Sequence, residues 1–300
     1  MLKEHLEKLH YFYEIAKAGS FNKASRTLFI TQPSLTKSIK VLEESIQIKL
    51  FLRTPKGVIL SEEGKLLFEY CVELFYKLDE VEGLLLNKND PMNATVRIGT
   101  YDSLAIYFWP KFIKHISKKY PNLNIQLSTN RSHTILSELE NGVYDLALTV
   151  DPKKVKNIIS KSSINDHFKF YTTTNSEIAD YSDLAIAPII YMPQAIQNLS
   201  SEFKQNLKSL IENRKVYETS SLESAKALAI NGIGIALLPS LVASYDVSKK
   251  NLVAINIKST IPLKRSEHSI SISYSKFKEN SDLIQKLVVE ISSFIKKKHK

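Results

Sequence analysis

The chain of 300 residues is 43% hydrophobic and 24% charged, a composition typical of soluble globular proteins with more than one packed unit. Its single cysteine, Cys71, excludes an intramolecular disulfide framework and a cysteine-based zinc cluster. The charged start of the chain and the lack of any run of ~18 apolar residues predict a cytoplasmic protein without a membrane span. The formal net charge of +10 suits a polyanionic partner, but the charges are spread along the chain.

Three short helices with tight breaks are predicted within the first 60 residues. The first has apolar residues at the spacing of a helix with one buried face, namely Leu6, Leu9, Phe12, Tyr13 and Ala16. Gly19 ends this helix, and Ser20 caps a second one that extends to Leu28. Thr31 begins a third helix with Pro33 in its first turn, and the inner face of this helix consists of Leu35, Ile39, Leu42 and Ile46.

A small hairpin, or wing, is predicted after the third helix. Two short apolar runs, 50–52 and 58–60, flank a turn that contains Pro55, Lys56 and Gly57. A scaffold helix, a tight turn, a second helix and a wing, in this order, are the parts of a winged helix-turn-helix.

A long helix follows the hairpin. Ser61 supplies a hydroxyl cap, Glu62 and Glu63 place acids at the positive end of the helix dipole, and the helix extends to about Leu86. Its apolar residues alternate steps of four and three, the 3.5-residue repeat of a coiled coil: Leu67, Cys71, Leu74, Leu78, Val81 and Leu85. We interpret this seam as a dimerisation surface, because the helix is long and lies between two units. Packing of the helix on its own domain is the alternative.

After a polar linker at 87–91, strands and helices alternate. Strands are expected at 96–99, 124–127, 146–150, 168–173, 187–191, 215–218, 235–238 and 268–274, and helices at 104–119, 134–140, 202–212, 221–231 and 282–295. Such alternation predicts parallel sheets with right-handed crossovers. The length fits two similar α/β lobes joined by crossing strands.

The third helix carries residue types that contact DNA on the face opposite its apolar residues. Glutamine reads adenine, lysine reaches guanine or phosphate, and a serine at a helix N-terminus suits a phosphate. Arg53 and Lys56 of the wing are placed to hold the flanking backbone or the minor groove. Taken singly, each such residue is more typical of solvated surface, and only the ordered combination indicates DNA binding. The candidates on the helix are Gln32, Pro33, Ser34, Thr36, Lys37 and Lys40.

Two sets of motifs extend over essentially the whole chain. The first comprises Leu9-His10-Tyr11-Phe12, Gly19-Ser20-Phe21, Ala24-Ser25, Leu28, Thr31-Gln32-Pro33-Ser34-Leu35-Thr36, Ile39, Leu42-Glu43, Leu50-Phe51, Arg53 and Gly64. The second comprises Val96-Arg97-Ile98-Gly99-Thr100, Tyr120-Pro121, Leu139-Glu140-Asn141-Gly142-Val143-Tyr144-Asp145-Leu146-Ala147 and Gly232-Ile233-Gly234-Ile235-Ala236-Leu237-Leu238-Pro239. In these motifs the sequence resembles the LysR-type transcriptional regulators; the first set is highly specific and the second moderately so. Ser61-Glu62-Glu63-Gly64 departs conservatively from the family's Thr-x-Ala-Gly.

The resemblance implies an α + α/β chain with three parts. These are a winged helix-turn-helix DNA-binding domain at 1–60, a linker or dimerisation helix at 61–90, and a two-lobed α/β effector-binding regulatory domain at 91–300 that is similar to periplasmic binding proteins. Lobe I spans about 91–162 and 268–300, and lobe II about 163–267. The implied function is sequence-specific DNA binding and transcription regulation, modulated by a small-molecule effector between the lobes, without enzyme activity. Expected partners are double-stranded DNA with an interrupted palindromic operator and further copies in a homodimer or homotetramer; RNA polymerase is a candidate partner.

A ligand site is expected at the carboxyl ends of the parallel strands, where helix N-termini point inward. Exposed N–H groups and hydroxyls there suit a carboxylate or a similar anion, although Asp102 would suit an amine better. The family's effector cleft falls at the corresponding positions. As an alternative, each serine or threonine serves only as a helix cap. The candidates are Thr100, Tyr101, Asp102, Ser103, Thr129, Thr219, Ser220 and Ser221, with Ser128 beside them and Val150, Asp151, Met192 and Pro193 as walls.

Three other functions compete with an effector-responsive regulator. An α/β enzyme fused to a DNA-binding domain is disfavoured, since no Gly-x-Ser-x-Gly elbow, phosphate-binding glycine loop or His-Glu-x-x-His motif is present. A solute-binding protein is disfavoured by the missing signal peptide and by the N-terminal reading helix. A regulator whose cleft is filled by its own side chains stays open. The seven histidines lack metal-ligand spacing, so neither a metal site nor a cofactor is expected.

Overall fold

The structure is a computed structural model that describes residues 2–298 except 56, 86–91, 176–186, 213 and 256–265. The predicted short helices, hairpin and long helix are all present in its N-terminal part. After a 3₁₀ turn at Leu2–His5, the elements are α1 (Leu6–Ala18), α2 (Phe21–Leu28), α3 (Gln32–Ile46), β1 (Phe51–Thr54), β2 (Gly57–Leu60) and α4 (Glu62–Leu85).

The breaks between the short helices are fixed by residues close in sequence. Gly19 ends α1 in the left-handed conformation, with a φ of 61°, and its N–H donates to the Ile15 carbonyl. The Ser20 hydroxyl accepts a hydrogen bond from the backbone N–H of Lys23 at the start of α2. Thr31 caps α3 in the same way. The helix boundaries therefore follow from local chemistry, which explains why the sequence predicts them.

Glu43 joins helix α3 to the hairpin. Its side chain is buried, and Oε1 accepts hydrogen bonds from the backbone N–H of Leu50 at 2.8 Å and of Phe51 at 3.3 Å. Oε2 lies 2.7 Å from the Lys49 ammonium. A buried carboxylate is tolerated only when it is paired in this way. The wing is consequently held in one orientation relative to α3.

Helix α4 packs its N-terminal half on its own domain, which corrects part of the predicted seam. Cys71 is only 1% exposed and lies within the apolar core of the N-terminal domain, and Leu67 is half-buried against the same core. Cys71 is therefore not available to a partner chain, and Leu67 contributes part of its side chain to its own domain, because the N-terminal half of α4 covers the open side of the three-helix core. The remaining seam residues are exposed by 38% or more: Leu74, Leu78, Val81 and Leu85.

Strands and helices alternate in the C-terminal part, as predicted. The strands are β3 (Thr95–Thr100), β4 (Asn124–Thr129), β5 (Leu146–Val150), β6 (Ile158–Thr173), β7 (Ile189–Tyr191), β8 (Val216–Glu218), β9 (Ile235–Pro239), β10 (Leu252–Ala254) and β11 (Glu267–Ser275). The helices are α5 (Asp102–Tyr107), α6 (Trp109–Lys119), α7 (Ser132–Glu140), α8 (Ser201–Ile211), α9 (Leu222–Ile230), α10 (Ser240–Ser248) and α11 (Asp282–Lys298), with 3₁₀ turns at Pro193–Ile196 and Lys276–Lys278.

Two parallel units share strand β6. The strand order is β4-β3-β5-β11-β6-β9-β7-β8, with β10 also paired to β6. Strand β3 is parallel to β4 and β5, and β7 is parallel to β8 and β9. The first part of β6 pairs antiparallel with β11, and its last part pairs antiparallel with β9 and β10. The result is two α/β lobes joined by a crossing strand.

Each lobe has its own apolar core. In lobe I, side chains from β3, β5 and β11 pack against α6 and α11, with Ile98, Trp109, Leu146, Ile272 and Leu287 among the fully buried residues. In lobe II, β6, β7 and β9 pack against α8, with Phe170, Ile189, Phe203, Leu207 and Ile235 buried. Because the two cores are separate, the space between the lobes can form a cleft.

Some elements differ from the prediction. The helix expected at 104–119 is divided at Phe108, because Pro110, which has no N–H, stands in the first turn of a new helix. Strand β6 begins at Ile158 rather than at 168, and its first part is rich in polar residues that hide the strand pattern. Helix α10 and strand β10 were not predicted at all.

A buried ion cluster joins strands β3 and β5 to the segment after β11. The Asp145 carboxylate accepts hydrogen bonds from the backbone N–H of Arg97 at 2.8 Å, from two guanidinium nitrogens of Arg97 and from the Lys278 ammonium. Burial alone would raise the pKa of Asp145, but the charges of Lys278 and Arg97 outweigh it and lower the pKa to about 2. The Lys278 ammonium also lies 5.4 Å from the centre of the Tyr76 ring on α4. One lysine therefore contacts both lobe I and the long helix.

Replacing Asp145 with asparagine should lower the free energy of unfolding by about 3 kcal/mol at neutral pH, because two cations lose a buried partner. Since the folded-state pKa lies below the ordinary value of 3.8, the contribution is present above about pH 4 and is lost as the pH falls toward 2. Urea unfolding of both proteins between pH 3 and pH 7 measures it. The Glu73→Gln variant, at an exposed position in the interior of α4, is the control, and equal stability of Asp145→Asn and wild type at pH 7 would contradict the assignment.

Candidate functional site

The outer face of helix α3 presents the predicted DNA-contacting side chains. Leu35, Ile39 and Leu42 are buried, so the opposite face points to solvent. Gln32, Pro33, Ser34, Lys37 and Lys40 are exposed, and Thr36 is half-buried.

Hydrogen bonds order the first turn of α3. The Thr31 hydroxyl donates to Ser34 Oγ at 2.9 Å, and the Gln32 amide nitrogen lies 3.3 Å from the Thr36 hydroxyl. Lys40 forms an ion pair with Glu44 at 3.6 Å, but both side chains are largely exposed, so the pair is weak and the lysine can exchange partners. The helix thus presents a prepositioned glutamine amide beside two lysine ammonium groups.

The wing lies against the turn between α1 and α2. The N–H of Val58 donates to the Gly19 carbonyl, and a Cβ added to Gly57 would lie only 2.7 Å from the same oxygen. Glycine at 57 is required by this close approach and by its φ of 132°. Arg53 is exposed on the hairpin; Lys56, the other predicted contact, lies outside the described residues.

A cleft of about 420 Å³ lies between the two lobes, within the range of small-molecule sites. Tyr101, Ser103 and Val150 contribute from lobe I, and Met192 and Leu222 from lobe II. A smaller pocket of about 60 Å³ adjoins it, since Tyr101, Ser103, Met192 and Leu222 line both. Residues from both lobes surround each cavity, so a change in the angle between the lobes would change their shape.

The structure brings together some of the predicted cleft residues and separates others. Tyr101 and Ser103 line the cleft; Asp102, Ser220 and Ser221 line the smaller pocket. Of the predicted walls, Val150, Asp151 and Met192 line the cleft. Thr129 and Thr219 line neither cavity, and nor do Ser128 and Pro193. The Thr219 hydroxyl instead donates to the carbonyl of Ser221.

Thr100 is a correction to the predicted ligand contacts. It is fully buried, its hydroxyl donates to the Leu148 carbonyl at 3.1 Å, and it accepts a hydrogen bond from the Trp109 indole N–H at 2.9 Å. Successive side chains of a strand point to opposite faces of the sheet. Thr100, the last residue of β3, lies on the face that α6 covers. Thr100 therefore joins β3, β5 and α6 and does not face a ligand.

Sequence reasoning missed the lobe I residues at the start of α7. Arg131, Ser132 and His133 line the cleft, because α7 begins at Ser132 and not at the predicted position 134. Lys153 adds a second cation, and neither Arg131 nor Lys153 forms an ion pair with a described residue. The missing local signal is an N-cap: the cap residue is Arg131, whose side chain makes no capping bond.

Lobe II contributes amides that were also missed. Gln194, Gln197 and Asn198 line the cleft from the 3₁₀ turn after β7 and the residues that follow it. They stand in a short irregular segment with no strand or helix pattern, which is why the sequence does not single them out. Together with Arg131 and Lys153 they place hydrogen-bond donors on both sides of the cavity.

His268, on β11, closes the inner wall of the cleft. It is buried, its ring centre lies 5.1 Å from that of Phe168, and Nδ1 has no hydrogen-bond partner among the described residues. Burial lowers the pKa of His268 despite the nearby charge of Asp166, whose Oδ2 is 3.7 Å from Nε2. A neutral imidazole with an unpaired nitrogen is therefore placed beside the cavity.

Tyr107 forms a polar link between the lobes. Its ring, from α5 of lobe I, is buried in an apolar cluster that includes Leu222 and Ala225 of α9. Its hydroxyl is hydrogen-bonded to Glu223 and Lys226, and the buried Lys226 also pairs with Asp246 at 3.0 Å. Burial and the bond to Glu223 raise the pKa of Tyr107 to about 12. The hydroxyl therefore stays protonated, and the link holds the lobes in this arrangement.

Two regions of the sequence match known families. Residues 6–65 match the bacterial regulatory helix-turn-helix proteins of the lysR family, and residues 89–292 match the LysR substrate binding domain. The chain belongs to the LysR family. It is a transcription regulator of that family with a helix-turn-helix DNA-binding domain and a substrate-binding domain.

Two curated relatives in the family are similar over most of their length. HTH-type transcriptional regulator YofA of Bacillus velezensis is 26% identical over 245 residues, which are 81% of this chain and 84% of the relative. HTH-type transcriptional regulator GltR of Bacillus subtilis is 22% identical over 247 residues, 80% of this chain and 82% of the relative. Both names describe transcription regulators and neither describes an enzyme.

Solved structures of LysR-type regulators share the fold. A full-length OxyR variant from Pseudomonas aeruginosa superposes with a TM-score of 0.69 at 16% identity, covering 97% of this chain and 94% of that one. LysG from Corynebacterium glutamicum, solved with bound effector Arg, gives a TM-score of 0.66 at 17% identity and covers 97% and 98%. None of the helices in the described ranges is long and apolar enough to span a membrane.

Replacing Thr100 with valine should lower the free energy of unfolding by about 1–3 kcal/mol, because the Trp109 N–H and the Leu148 carbonyl lose a buried partner. Urea unfolding measures this loss. The exposed Ser220→Ala variant is the matched control and should differ from wild type by under about 0.5 kcal/mol. A Thr100→Val protein of full stability would show that the buried hydroxyl has no structural role.

Proposed function

We propose that this regulator binds specific DNA sequences through α3 and the wing, and that a small molecule bound between its lobes modulates this activity. The observation that carries the proposal is the cleft of about 420 Å³, which residues of both lobes line together. A ligand that contacts both lobes stabilises one angle between them. The ligand shifts the equilibrium between two lobe arrangements to the extent that it binds one arrangement more tightly than the other. The LysG structure with bound effector Arg supports this use of the fold.

Helix α3 supplies the base contacts in this proposal. Gln32 pairs with an adenine edge, and Lys37 and Lys40 reach guanine or phosphate. Ser34 at the helix N-terminus and Arg53 on the wing hold the phosphate backbone. The structure of CbnR with its target DNA, a fold neighbour with a TM-score of 0.52 at 15% identity over 97% of this chain and 99% of that one, supports DNA binding by this architecture.

Gln32→Ala should reduce discrimination between a selected operator and its single-base variants by about 1–3 kcal/mol at one position, and leave nonspecific affinity unchanged. Fluorescence anisotropy on matched duplexes measures both quantities. Arg53→Ala is the comparison: loss of a phosphate contact should weaken binding to all sequences and flatten the salt dependence of binding. Equal losses on every duplex for Gln32→Ala would exclude a base-reading role.

Self-association is a further part of the proposal. The exposed apolar residues Leu74, Leu78, Val81 and Leu85 lie on the half of α4 that the chain's own core does not cover. An apolar stripe of this size on a long helix is typical of a helix–helix interface. Two copies joined in this way would present two reading helices to an interrupted palindrome.

Sedimentation velocity of the purified protein should show a dimer or tetramer. A monomer at micromolar concentration would contradict the proposed self-association.

We expect the ligand to carry an anionic group. Arg131 and Lys153 are cations without an ion-pair partner among the described residues, and α7 directs its positive end toward the same cavity. The Asp151 carboxylate, whose Oδ1 accepts hydrogen bonds from the backbone N–H and hydroxyl of Ser269, offsets one of these two positive charges, and the other remains for a ligand. Apolar side chains such as Leu136, Phe168 and Met192 would contact the body of the ligand.

The test is a thermal-unfolding screen in which each small carboxylic acid is paired with its uncharged amide. Binding to the native state raises the unfolding temperature, so at least one acid should stabilise the protein and its amide should not. Arg131→Gln should reduce that shift, and Lys118→Gln, an exposed lysine on α6 away from the cleft, should leave it unchanged.

DNase footprints of the region upstream of the gene, with and without the stabilising acid, then connect the cleft to DNA. A two-part protected site whose pattern changes with the acid is the expected result. If no acid stabilises the protein and protection of DNA is complete without one, the alternative holds, namely a regulator whose cleft takes no ligand.

A further inference from the structure

Phe29 is an exposed aromatic residue on the DNA-binding domain that packing within the chain does not explain. It lies in the turn between α2 and α3, and 96% of its surface is exposed. Every other large apolar residue that the structure describes is less exposed; the next, Leu85, is at 77%. Removal of an aromatic ring from water is favourable, so a ring left almost fully in solvent is available for a contact outside the chain.

The backbone at Phe29 strengthens this inference. Its φ of 55° and ψ of 36° place it in the left-handed region, which penalises side chains other than glycine, asparagine and aspartate. The other non-glycine residues with positive φ in the described ranges are polar: Gln47, Asp151 and Lys250. The turn itself needs only the backbone, since the N–H of Ile30 donates to the Ser25 carbonyl at 3.0 Å. An asparagine would satisfy the turn better, so the ring does not serve folding.

The surroundings of Phe29 favour DNA as the group that covers the ring. Residues 15–42, which include α2, the turn and most of α3, contain no Asp or Glu and five basic residues: Lys17, Lys23, Arg26, Lys37 and Lys40. Lys23 and Arg26 are exposed on α2, and the exposed Gln32 follows the turn. The ring therefore lies within a basic surface that is continuous with the reading face of α3, and this charge is complementary to a duplex.

We propose that Phe29 packs on the edge of the groove that α3 enters and makes an apolar contact with the duplex. The turn before a recognition helix lies at the helix end that enters the groove, so this ring approaches the DNA together with Gln32. A duplex offers apolar surface there in two forms, the 5-methyl group of thymine and the deoxyribose ring. The proposal rests on the DNA binding of the helix-turn-helix and adds a residue that neither charge nor hydrogen bonding would identify.

The test compares Phe29→Asn with wild type on a duplex that the wild-type protein selects from a random library. Asparagine fits the left-handed turn, so this variant should unfold at the same or a higher temperature and yet bind at least fivefold more weakly. An apolar contact releases no counterions, so the slope of log affinity against log salt should stay unchanged. A merely structural role of Phe29 predicts the reverse, a change in stability with no change in affinity.

Matched variants separate the ring from apolarity in general. Phe29→Tyr retains the ring and should bind within twofold of wild type. Val289→Thr removes an exposed apolar group on α11, far from the reading helix, and should have no effect on DNA binding. A Phe29→Asn protein that binds within twofold of wild type would overturn the proposal. The proposal would also be overturned if Phe29→Asn changed the sedimentation coefficient while each oligomer bound DNA with unchanged affinity. That result would assign the ring to a contact between copies of the chain.

Duplexes with uracil in place of thymine distinguish the two apolar sources. If the ring contacts a thymine methyl, the wild-type protein should bind the uracil duplex more weakly than the thymine duplex. The Phe29→Asn variant should then bind the two duplexes equally well. If the ring contacts deoxyribose, the base change should have no effect on either protein, and the difference between them should persist. Failure of the wild-type protein to select any duplex would overturn the DNA-reading proposal itself, and the Phe29 contact with it.

Discussion

Strand β6 passes through both lobes of the C-terminal domain, and the geometry of the cleft depends on it. Its first part is hydrogen-bonded to β11 in lobe I, and its last part to β9 and β10 in lobe II. A paired strand bends and twists but does not lengthen, because backbone hydrogen bonds on both sides fix its residues. The lobes can therefore rotate about the strand without separating, and groups from both lobes stay within reach of one small ligand.

Two further features set the angle of that rotation. The Tyr107 ring enters the lobe II cluster from lobe I, and its hydroxyl is hydrogen-bonded to Glu223 and Lys226. Strand β11 carries His268 at the cleft wall, and directly after the strand Phe277 packs on the core of the N-terminal domain, while Lys278 contacts Tyr76 of α4. One strand and the residues directly after it thus connect the wall of the cleft with the surface of the long helix.

The DNA-binding end is rigid for a different reason. Its small core is surrounded by short helices whose ends are capped, and Glu43 fixes the hairpin to the reading helix by three hydrogen bonds. The N-terminal half of α4 completes that core, which explains why Cys71 is buried within its own chain. Among the exposed side chains of α2, α3 and the turn between them, the large apolar ones are Phe29, at 96%, and Val41, at 38%. A fixed arrangement of this kind would suit the proposed base reading, because bidentate contacts tolerate little displacement.

The sequence alone determined the elements whose signals are local. Gly19, Ser20 and Thr31 end or begin helices through their own backbone or hydroxyl chemistry. Short continuous apolar runs marked the buried strands β5 and β9. The tertiary structure decided what depends on residues far apart in the chain. Thr100 is turned into the core by Trp109 and Leu148, and Arg131 is brought to the cleft by the packing of α7. Tyr107 of lobe I meets Lys226 of lobe II across the boundary between the lobes. A side chain's direction at a strand end depends on what packs against it, and that information is not present in a local pattern.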